Sequence, residues 1–253
     1  MTGLLSGKRA IVTGAGNGIG REAAIVCARE GAQVAVLDIN GLAAERTVAD
    51  IKAAGGQAVA LVADLTDDVN VEAAVKEATS TWGSLNCVIG CAGVQLAGQD
   101  DRADRLSLEV WRRTIEINLT GMFVISKYGI RELLRAGGGT VVLTCSPTGQ
   151  YGCAPGYDAY SSSKAGVYGL VRVLAADYAG ENIRVNGVVP GYTRTPMTSW
   201  VSAEEHAALL ETIPLRRAGE PEEVAEVIAF LASDRPAYTT GAVWAADGGM
   251  TAV

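Results

Sequence analysis

The chain has 253 residues, of which 49% are hydrophobic and 31 are glycines, and its formal net charge is −7 at pH 7. This length fits one α/β domain with a substantial core, or two small domains. The acidic charge and the lack of any basic run argue against nucleic acid and anionic membrane surfaces as partners.

Cysteine, histidine and hydropathy patterns narrow the possibilities further. An odd number of cysteines without a paired framework predicts reduced thiols in a cytoplasmic protein. His206 is the only histidine, so His-based zinc sites and Ser-His-Asp triads are excluded unless His206 serves alone, and we expect no metal. No apolar run reaches the ~18 residues that span a bilayer, and residues 1–9 lack a signal-peptide layout. The five cysteines are Cys27, Cys87, Cys91, Cys145 and Cys153.

A strand, a glycine-rich turn and a helix open the predicted fold. Residues 8–14 are typical of a short buried strand, and Gly14, Gly16, Gly18 and Gly20 lead into a helical run over 19–30. Such glycines allow a tight turn and let the backbone approach a pyrophosphate, while the helix N-terminus offers N–H groups to its charge.

A second buried strand, over residues 32–37, is followed by Asp38. This carboxylate comes about 20 residues after Gly18, where a dinucleotide-binding fold places the acceptor for a ribose diol. The alternative is a surface aspartate that caps the next helix.

Strands and helices then continue to alternate to the end of the chain. Apolar strands separated by helices predict a Rossmann-type doubly wound parallel sheet of about seven strands, with helices on both faces, in a single domain over residues 1–253. The remaining strands are predicted at 58–63, 85–90, 140–144, 183–189 and 242–246, and the remaining helices at 42–54, 69–82, 108–136, 160–179 and from 220 onward.

Three segments carry separate expectations. The charged segment 99–105 is typical of an exposed loop, and we assign it no chemistry. Asn118 lies near the middle of the helix predicted over 108–136, where its amide indicates either a local distortion or a solvent-facing position. Residues 190–214 are irregular, and a stretch of that length beside a ligand crevice predicts a substrate lid.

Tyr160 and Lys164 are the candidate proton-transfer pair. Residues four apart share one face of a helix, and an ammonium beside a phenol favours the phenolate and lowers its pKa toward the range of efficient acid–base catalysis. Ser146 follows the strand at 140–144, at the end where open α/β sheets present ligand-contacting groups. Many amphipathic helices carry such a pair, so its meaning depends on the glycine motif and Asp38.

The ordered motifs resemble those of the short-chain dehydrogenase/reductase family, from about residue 4 to residue 249. Each motif alone has little specificity, whereas the ordered set is specific. The motifs are Thr13-Gly14-Ala15-Gly16-Asn17-Gly18-Ile19-Gly20, Asp64-Leu65, Ala92-Gly93, Asn118, Ser146, Tyr160-x-x-x-Lys164, Asn186, Pro190-Gly191 and Thr195.

The resemblance implies a role for each matching residue. Tyr160 would be the catalytic acid/base, and Ser146 would hydrogen-bond the reacting oxygen. Lys164 would lower the pKa of Tyr160 and hold the nicotinamide ribose, while Asn118 would support a water linked to Lys164. Thr195 and the backbone near Thr193 would bind the carboxamide. The implied cofactor-binding residues are Gly14, Asn17, Gly18, Ile19, Gly20, Asp38, Ile39, Asp64, Leu65, Cys91, Ala92, Gly93, Tyr160, Lys164, Pro190, Gly191, Thr193 and Thr195.

Two features depart from the family pattern. Gly90-Cys91-Ala92-Gly93 stands where relatives usually carry Asn-Asn-Ala-Gly, so an amide near the adenine ribose is missing, and we interpret Cys91 as a packing residue. Ser146 precedes Tyr160 by fourteen residues where thirteen is commoner, and the extra residue would fall within 152–156.

The function implied is hydride transfer between NAD(H) and a secondary alcohol or ketone with an apolar body. NAD is expected over NADP because Asp38 would repel a phosphate. A 3-oxoacyl carrier-protein reductase and a catalytically idle NAD-binding sensor or scaffold remain the alternatives. A homotetramer is expected, with a dimer possible. The expected substrate pocket comprises Gln95, Ser146, Gln150, Tyr151, Tyr157, Tyr192 and Trp200.

Overall fold

The computed structural model describes residues 3–252, in which seven strands form one parallel sheet. The strand order is β3-β2-β1-β4-β5-β6-β7, and every neighbouring pair is parallel. This confirms the predicted Rossmann-type sheet. The strands are β1 (Arg9–Thr13), β2 (Gln33–Asp38), β3 (Gln57–Val62), β4 (Cys87–Gly90), β5 (Gly139–Thr144), β6 (Ile183–Pro190) and β7 (Val243–Ala246).

Helices cover both faces of the sheet, as two hydrophobic clusters show. One cluster joins α3, α5 and α6 to the sheet, and the other joins α1, α2 and α8 to its opposite face. The strand side chains are buried on both sides, which explains why the strands are apolar along their whole length. The helices are α1 (Gly18–Arg29), α2 (Gly41–Ala53), α3 (Asp68–Trp82), α4 (Leu108–Ile115), α5 (Gly121–Arg135), α6 (Asp158–Tyr178), α7 (Ala203–Thr212) and α8 (Pro221–Ala232).

The strand order places a crevice where the chain changes direction across the sheet. β1 lies between β2 and β4. The connection after β1 leads to β2, whereas the connection after β4 leads to β5, in the opposite direction across the sheet. Ligands of open α/β sheets bind in such a crevice, outside the carboxyl ends of the strands. Asp38, Gly90 and Thr144 all lie at that edge, at the ends of β2, β4 and β5.

The helix predicted over 108–136 is interrupted near its middle. A π-helical turn, Glu116–Thr120, separates α4 from α5. Asn118 in this turn is completely buried: its Nδ2 donates to the Val94 carbonyl and its Oδ1 accepts from the Val94 N–H, both at 2.8 Å. The local distortion expected at Asn118 is therefore confirmed, and the solvent-facing alternative is wrong, because its amide pairs with loop backbone.

Two other segments differ from the expectation. The stretch 190–214 is only partly irregular, since it contains a 3₁₀ turn at Pro196–Thr198 and all of α7. α7 buries none of its residues, which explains the weak hydrophobic pattern. Within the mostly exposed segment 99–105, Asp100 is only 8% exposed.

Between residues 3 and 252, no helix combines the length and apolar character needed to cross a membrane. Within the same residues, no cluster of three or more His, Cys, Asp or Glu side chains could hold a metal ion.

Candidate active site

A cleft of about 1020 Å³ opens along the carboxyl edge of the sheet. It is lined by every residue expected to bind the cofactor, from the glycine turn after β1 to Thr195, and also by Ser146. The sequence-predicted residues therefore converge on one concave surface.

The glycine turn needs glycine for two close backbone approaches. Gly14 has φ of +63°, and a Cβ on it would lie 2.7 Å from the Cα of Ala92. A Cβ on Gly20 would lie 2.2 Å from the carbonyl oxygen of Gly14. The Thr13 hydroxyl, in turn, accepts hydrogen bonds from the N–H groups of Cys91 (3.1 Å) and Ala92 (3.2 Å). The turn after β1 is thus packed tightly against both α1 and the end of β4.

Asp38 faces this turn with a carboxylate that is only 7% exposed. It accepts from the N–H of Gly16 at 2.8 Å and from that of Asn40 at 2.9 Å. The N-cap of α2 is Asn40, whose side chain accepts from the N–H of Ala43. The alternative in which Asp38 merely caps the next helix is therefore wrong.

The N-terminus of α1, which is the positive end of the helix dipole, faces the same end of the cleft. Its first turn contains no acidic residue, and its N-cap residue Asn17 makes no side-chain capping hydrogen bond within the described part of the chain. Uncompensated N–H groups at a helix N-terminus are suited to phosphate. Together with the glycine turn and Asp38, they fit the pyrophosphate and ribose of a dinucleotide.

Basic side chains are scarce around Asp38. Arg21, one turn into α1, forms ion pairs with Glu22 and with Asp50, the latter at 2.8 Å. Among the described residues that line the cleft, the only Lys and Arg side chains are Lys164 and Arg113. Lys164 lies on α6, and the exposed Arg113 lies on α4.

Ser146, Tyr160 and Lys164 meet at the other end of the cleft. Ser146 follows β5 and is 6% exposed, with its hydroxyl 3.1 Å from that of Thr148. Tyr160 and Lys164 lie in the first two turns of α6. The Lys164 ammonium is buried, donates to the Thr144 carbonyl at 2.9 Å, and lies 5.9 Å from the centre of the Tyr160 ring.

The pKa of Tyr160 differs from the expectation. Burial raises it above its usual value, and a hydrogen bond with Ser146 opposes that rise. Burial also lowers the pKa of Lys164. The interaction that lowers the pKa of Tyr160 in this structure thus comes from Ser146, and the Lys164 ammonium donates to the Thr144 carbonyl.

Cys91 is partly buried and packs against the hydrophobic cluster that contains α1, α2 and α8. Burial raises the pKa of its thiol to about 11, against the lowering effects of a hydrogen bond from Thr144 and the charge of Lys164. The Thr144 hydroxyl donates to the Cys91 sulfur at 3.4 Å. A thiol with this pKa is almost entirely protonated at neutral pH, which makes it a poor nucleophile.

The structure brings only some of the residues expected in the substrate pocket to the cleft. Gln95, Tyr157, Tyr192 and Trp200 line the cleft beside Ser146. Gln150 and Tyr151 do not: both are exposed, because the 3₁₀ turn Pro147–Gly149 directs the chain away from the cleft. Sequence reasoning missed several lining residues that are mostly apolar, namely Val94, Cys153, Pro155, Met197, Leu209 and Met250.

The substrate end has aromatic walls. The rings of Tyr157 and Trp200 are 6.2 Å apart between centroids. The Tyr192 hydroxyl lies 2.9 Å from Nδ1 of His206 on α7, which ties the end of β6 to this helix. Asn118 does not line the cleft; it lies buried behind it.

Comparison of the sequence with known proteins finds dehydrogenases and reductases. A family model described as enoyl-(acyl carrier protein) reductase matches residues 14–251. The chain is 39% identical to a cyclohexanol dehydrogenase from Acinetobacter sp. (strain SE19), covering 99% of this chain and 98% of that protein. It is 40% identical to a cis-4-hydroxycyclohexanecarboxylate dehydrogenase from Sinomonas cyclohexanicum, with 96% of each covered. Identity to a 3-oxoacyl-[acyl-carrier-protein] reductase from Thermotoga maritima is 36%, covering 97% and 98%.

Solved structures agree over nearly the whole chain. A short-chain type dehydrogenase/reductase from Mycobacterium marinum superposes with a TM-score of 0.91 at 34% identity, covering 98% of this chain and 97% of that one. A protein described as an NAD(P)-dependent gluconate 5-dehydrogenase from Beutenbergia cavernae, with bound NADP, gives 0.92 at 34% identity, covering 98% of both. With the glycine turn, Ser146, Tyr160 and Lys164 gathered at one cleft, this protein belongs to the short-chain dehydrogenase/reductase family of nicotinamide-dependent oxidoreductases.

Proposed function

We propose that the protein interconverts a secondary alcohol and its ketone with NAD(H), using Tyr160 as the acid/base. The observation that carries this proposal is the convergence of Ser146 and Tyr160 at one end of a cleft whose other end holds Asp38. When bound, the nicotinamide cofactor supplies the hydride acceptor or donor.

The chain's own residues handle the proton and the charge on oxygen. In alcohol oxidation Tyr160 accepts the hydroxyl proton, and in ketone reduction it returns one. Ser146 donates a hydrogen bond to the same oxygen, and two donors converging there stabilise the negative charge that develops in the transition state. Lys164 would contact the nicotinamide ribose, and Asn118 would support a water near Lys164.

The cofactor preference proposed for this site is NAD. The buried Asp38 carboxylate can accept from the two ribose hydroxyls of NAD, whereas a phosphate at that position would meet its negative charge. The ion pairs of Arg21 with Glu22 and Asp50 leave that guanidinium engaged elsewhere.

The substrate proposed is uncharged, with an apolar and preferably cyclic body. Tyr157, Met197, Trp200 and Leu209 supply apolar surface beside Ser146 and Tyr160. The relatives named for cyclohexanol and for a hydroxycyclohexanecarboxylate support a ring-bearing secondary alcohol. Met197, Trp200 and Leu209 all come from segment 190–214, which we propose acts as a lid.

Reduction of a 3-oxoacyl thioester is the second candidate. It is favoured by the matching family model and by the Thermotoga maritima relative. A catalytically idle NAD-binding protein is disfavoured, because Ser146, Tyr160 and Lys164 are all present and adjacent.

The test is a panel of substrates assayed with NAD by absorbance of the reduced cofactor. We expect cyclohexanol to exceed both 4-hydroxycyclohexanecarboxylate and acetoacetyl thioester (the latter assayed with NADH) in kcat/KM.

Tyr160→Phe should keep the fold and cofactor affinity and lower turnover by ~10²–10⁴-fold, since general acid–base groups typically contribute that much. If the variant kept more than about a third of the activity across pH, the role of Tyr160 would be wrong. In the substrate panel, a higher kcat/KM for the acetoacetyl thioester than for cyclohexanol would favour 3-oxoacyl thioester reduction, the second candidate.

A further inference from the structure

The N-terminus of α6, which carries Tyr160, lacks a local cap. Its N-cap residue is Tyr157, whose side chain makes no capping hydrogen bond within the described chain. The second and third residues of the helix, Ala159 and Tyr160, therefore have backbone N–H groups that a local Ser, Thr, Asp or Asn would normally satisfy.

Asp100, almost sixty residues earlier in the chain, satisfies both groups. Its Oδ1 accepts from the N–H of Ala159 at 3.1 Å, and its Oδ2 accepts from the N–H of Tyr160 at 2.9 Å. The carboxylate is 8% exposed, and its negative charge lies at the positive end of the helix dipole. A second hydrogen bond joins the same two segments: Oδ2 of Asp158, the first residue of α6, accepts from the N–H of Ala103 at 2.8 Å.

The carbonyl of Tyr160 is held as well, through Ser163 and Asn118. Ser163 Oγ donates to the Tyr160 carbonyl at 2.7 Å and accepts from Asn118 Nδ2 at 3.1 Å. Asn118 is in turn paired with both backbone groups of Val94. Only a short loop joins Val94 to Asp100, so one segment fixes the N–H and, through two side chains, the C=O of Tyr160.

We propose that Asp100 is the positioning residue for Tyr160, which sets the phenol against Ser146 by clamping the first turn of α6. This rests on the proposed function of Tyr160. Asp100 touches backbone and not the reacting atoms, and small displacements of a catalytic group can lower a rate by ~10²-fold.

The experiment compares Asp100→Ala with Asp67→Ala. Asp67 is the matched control, because its carboxylate also accepts from two backbone N–H groups, at the start of α3, and lies outside the cleft lining. Both variants lose a helix cap and should lower Tm. Only Asp100→Ala should lower kcat, by at least about tenfold, with KM for NAD within about twofold of wild type.

Amide hydrogen exchange supplies a readout that does not require activity. In Asp100→Ala the amides of Ala159 and Tyr160 should exchange at least about tenfold faster, with protection of the α3 amides unchanged. Asp100→Asn keeps one acceptor oxygen and should fall between wild type and Asp100→Ala in both measurements. If Asp100→Ala does not fold, Asp100→Asn is the variant that decides.

The outcomes separate the two proposals. A kcat for the Asp100 variants within twofold of Asp67→Ala, while Tyr160→Phe is inactive, would overturn the positioning role and leave the function standing. Activity of Tyr160→Phe above about a third of wild type would overturn the role of Tyr160 in the proposed function. Unchanged exchange at Tyr160 would show that Asp100 does not clamp this turn.

Discussion

The Asp38 carboxylate connects the glycine turn after β1 to the N-cap residue of α2. Its carboxylate accepts from the backbone of Gly16 and Asn40, and a Cβ on Gly16 would lie 2.9 Å from its Oδ2. The glycine turn and the carboxylate therefore fit closely, so a side chain at Gly16 would displace the Asp38 carboxylate or Ala43.

We expect the wild-type protein to prefer NAD over NADP by at least about a hundredfold in kcat/KM, equivalent to ~2.7 kcal/mol. Asp38→Ala should remove most of that preference, because it deletes the ribose acceptor and the repulsion of a phosphate together. Hydrogen bonds to a charged acceptor contribute ~1.5–3 kcal/mol each. Steady-state kinetics with both cofactors measures the ratio. Asp234→Ala, which removes an exposed carboxylate paired with Lys8, is the control. Comparable wild-type efficiency with NADP would contradict the prediction.

In the proposed mechanism, Ser146 acts on proton transfer through the pKa of Tyr160. Burial raises this pKa, and the Ser146 hydrogen bond lowers it. Alcohol oxidation needs the phenolate, so below the pKa the value of kcat/KM should rise about tenfold per pH unit. Ketone reduction needs the neutral phenol, so its kcat/KM should fall only above the pKa of Tyr160.

Ser146→Ala should move the rising limb of the oxidation profile to higher pH, since the interaction that lowers the pKa is lost. The profile of kcat/KM against pH reports groups of the free enzyme and is the appropriate measurement. Ser162→Ala removes an exposed hydroxyl outside the cleft lining and should leave the limb in place. A limb that stayed or moved to lower pH would show that Ser146 does not stabilise the phenolate.

At the scale of elements, the β1–turn–α1 unit could be predicted because all its signals are local. Four glycines at alternate positions follow an apolar strand. The close approaches at Gly14 and Gly20 lie within that unit or against the residues that follow β4, whereas Gly16 lies against Asp38 and Ala43. The helix α7 carried a readable signal that was missed, the capping box of Ser202 and Glu205. The contact of Asp100 with α6 could not be predicted from the sequence, because the backbone N–H groups that it binds lie almost sixty residues later in the chain. The one clue was that Tyr157 is an unsuitable N-cap residue for α6.

Gly20→Ala tests the packing of the β1–turn–α1 unit. Its Cβ would lie 2.2 Å from the Gly14 carbonyl oxygen, so the helix and the turn must move apart. We expect the free energy of unfolding to fall by ~1–3 kcal/mol, the usual range for overpacking, with a higher KM for NAD. Urea denaturation measures the first effect. At Gly180 an added Cβ would meet no atom within 4 Å, and Gly180→Ala should change stability by less than ~0.5 kcal/mol. Equal stability of both variants would contradict the argument.

At the scale of the whole molecule, alternation of strands and helices sufficed to predict the parallel sheet, because βαβ connections permit few alternatives. The pocket wall was harder to predict. Gln150 and Tyr151 are neighbours of Ser146 in sequence, yet the 3₁₀ turn after Ser146 carries them to the surface. In contrast, Met250 reaches the cleft from the end of the chain. Irregular loops obey no periodicity from which such positions could be read.

The surface carries apolar side chains on two separate parts of the molecule. β7 is the last strand at one edge of the sheet, and its Trp244 is 39% exposed and packs against Phe230 of α8. On the helical face, Phe123 of α5 is 48% exposed and Val173 of α6 is 51% exposed. An exposed sheet edge invites pairing with another chain. One self-complementary surface produces a dimer, whereas two different ones produce a tetramer.

We therefore expect a homotetramer of about 104 kDa, four copies of the 26.1 kDa chain. Light scattering at micromolar concentration measures this mass directly. Trp244→Lys should disrupt the edge contact alone, and Phe123→Lys the helical contact alone, because each places a charge at one surface only. Each single variant should then give about 52 kDa, and the double variant about 26 kDa. A wild-type mass near 26 or 52 kDa would contradict the tetramer. Single variants that remained at about 104 kDa would show that these two surfaces are not the interfaces.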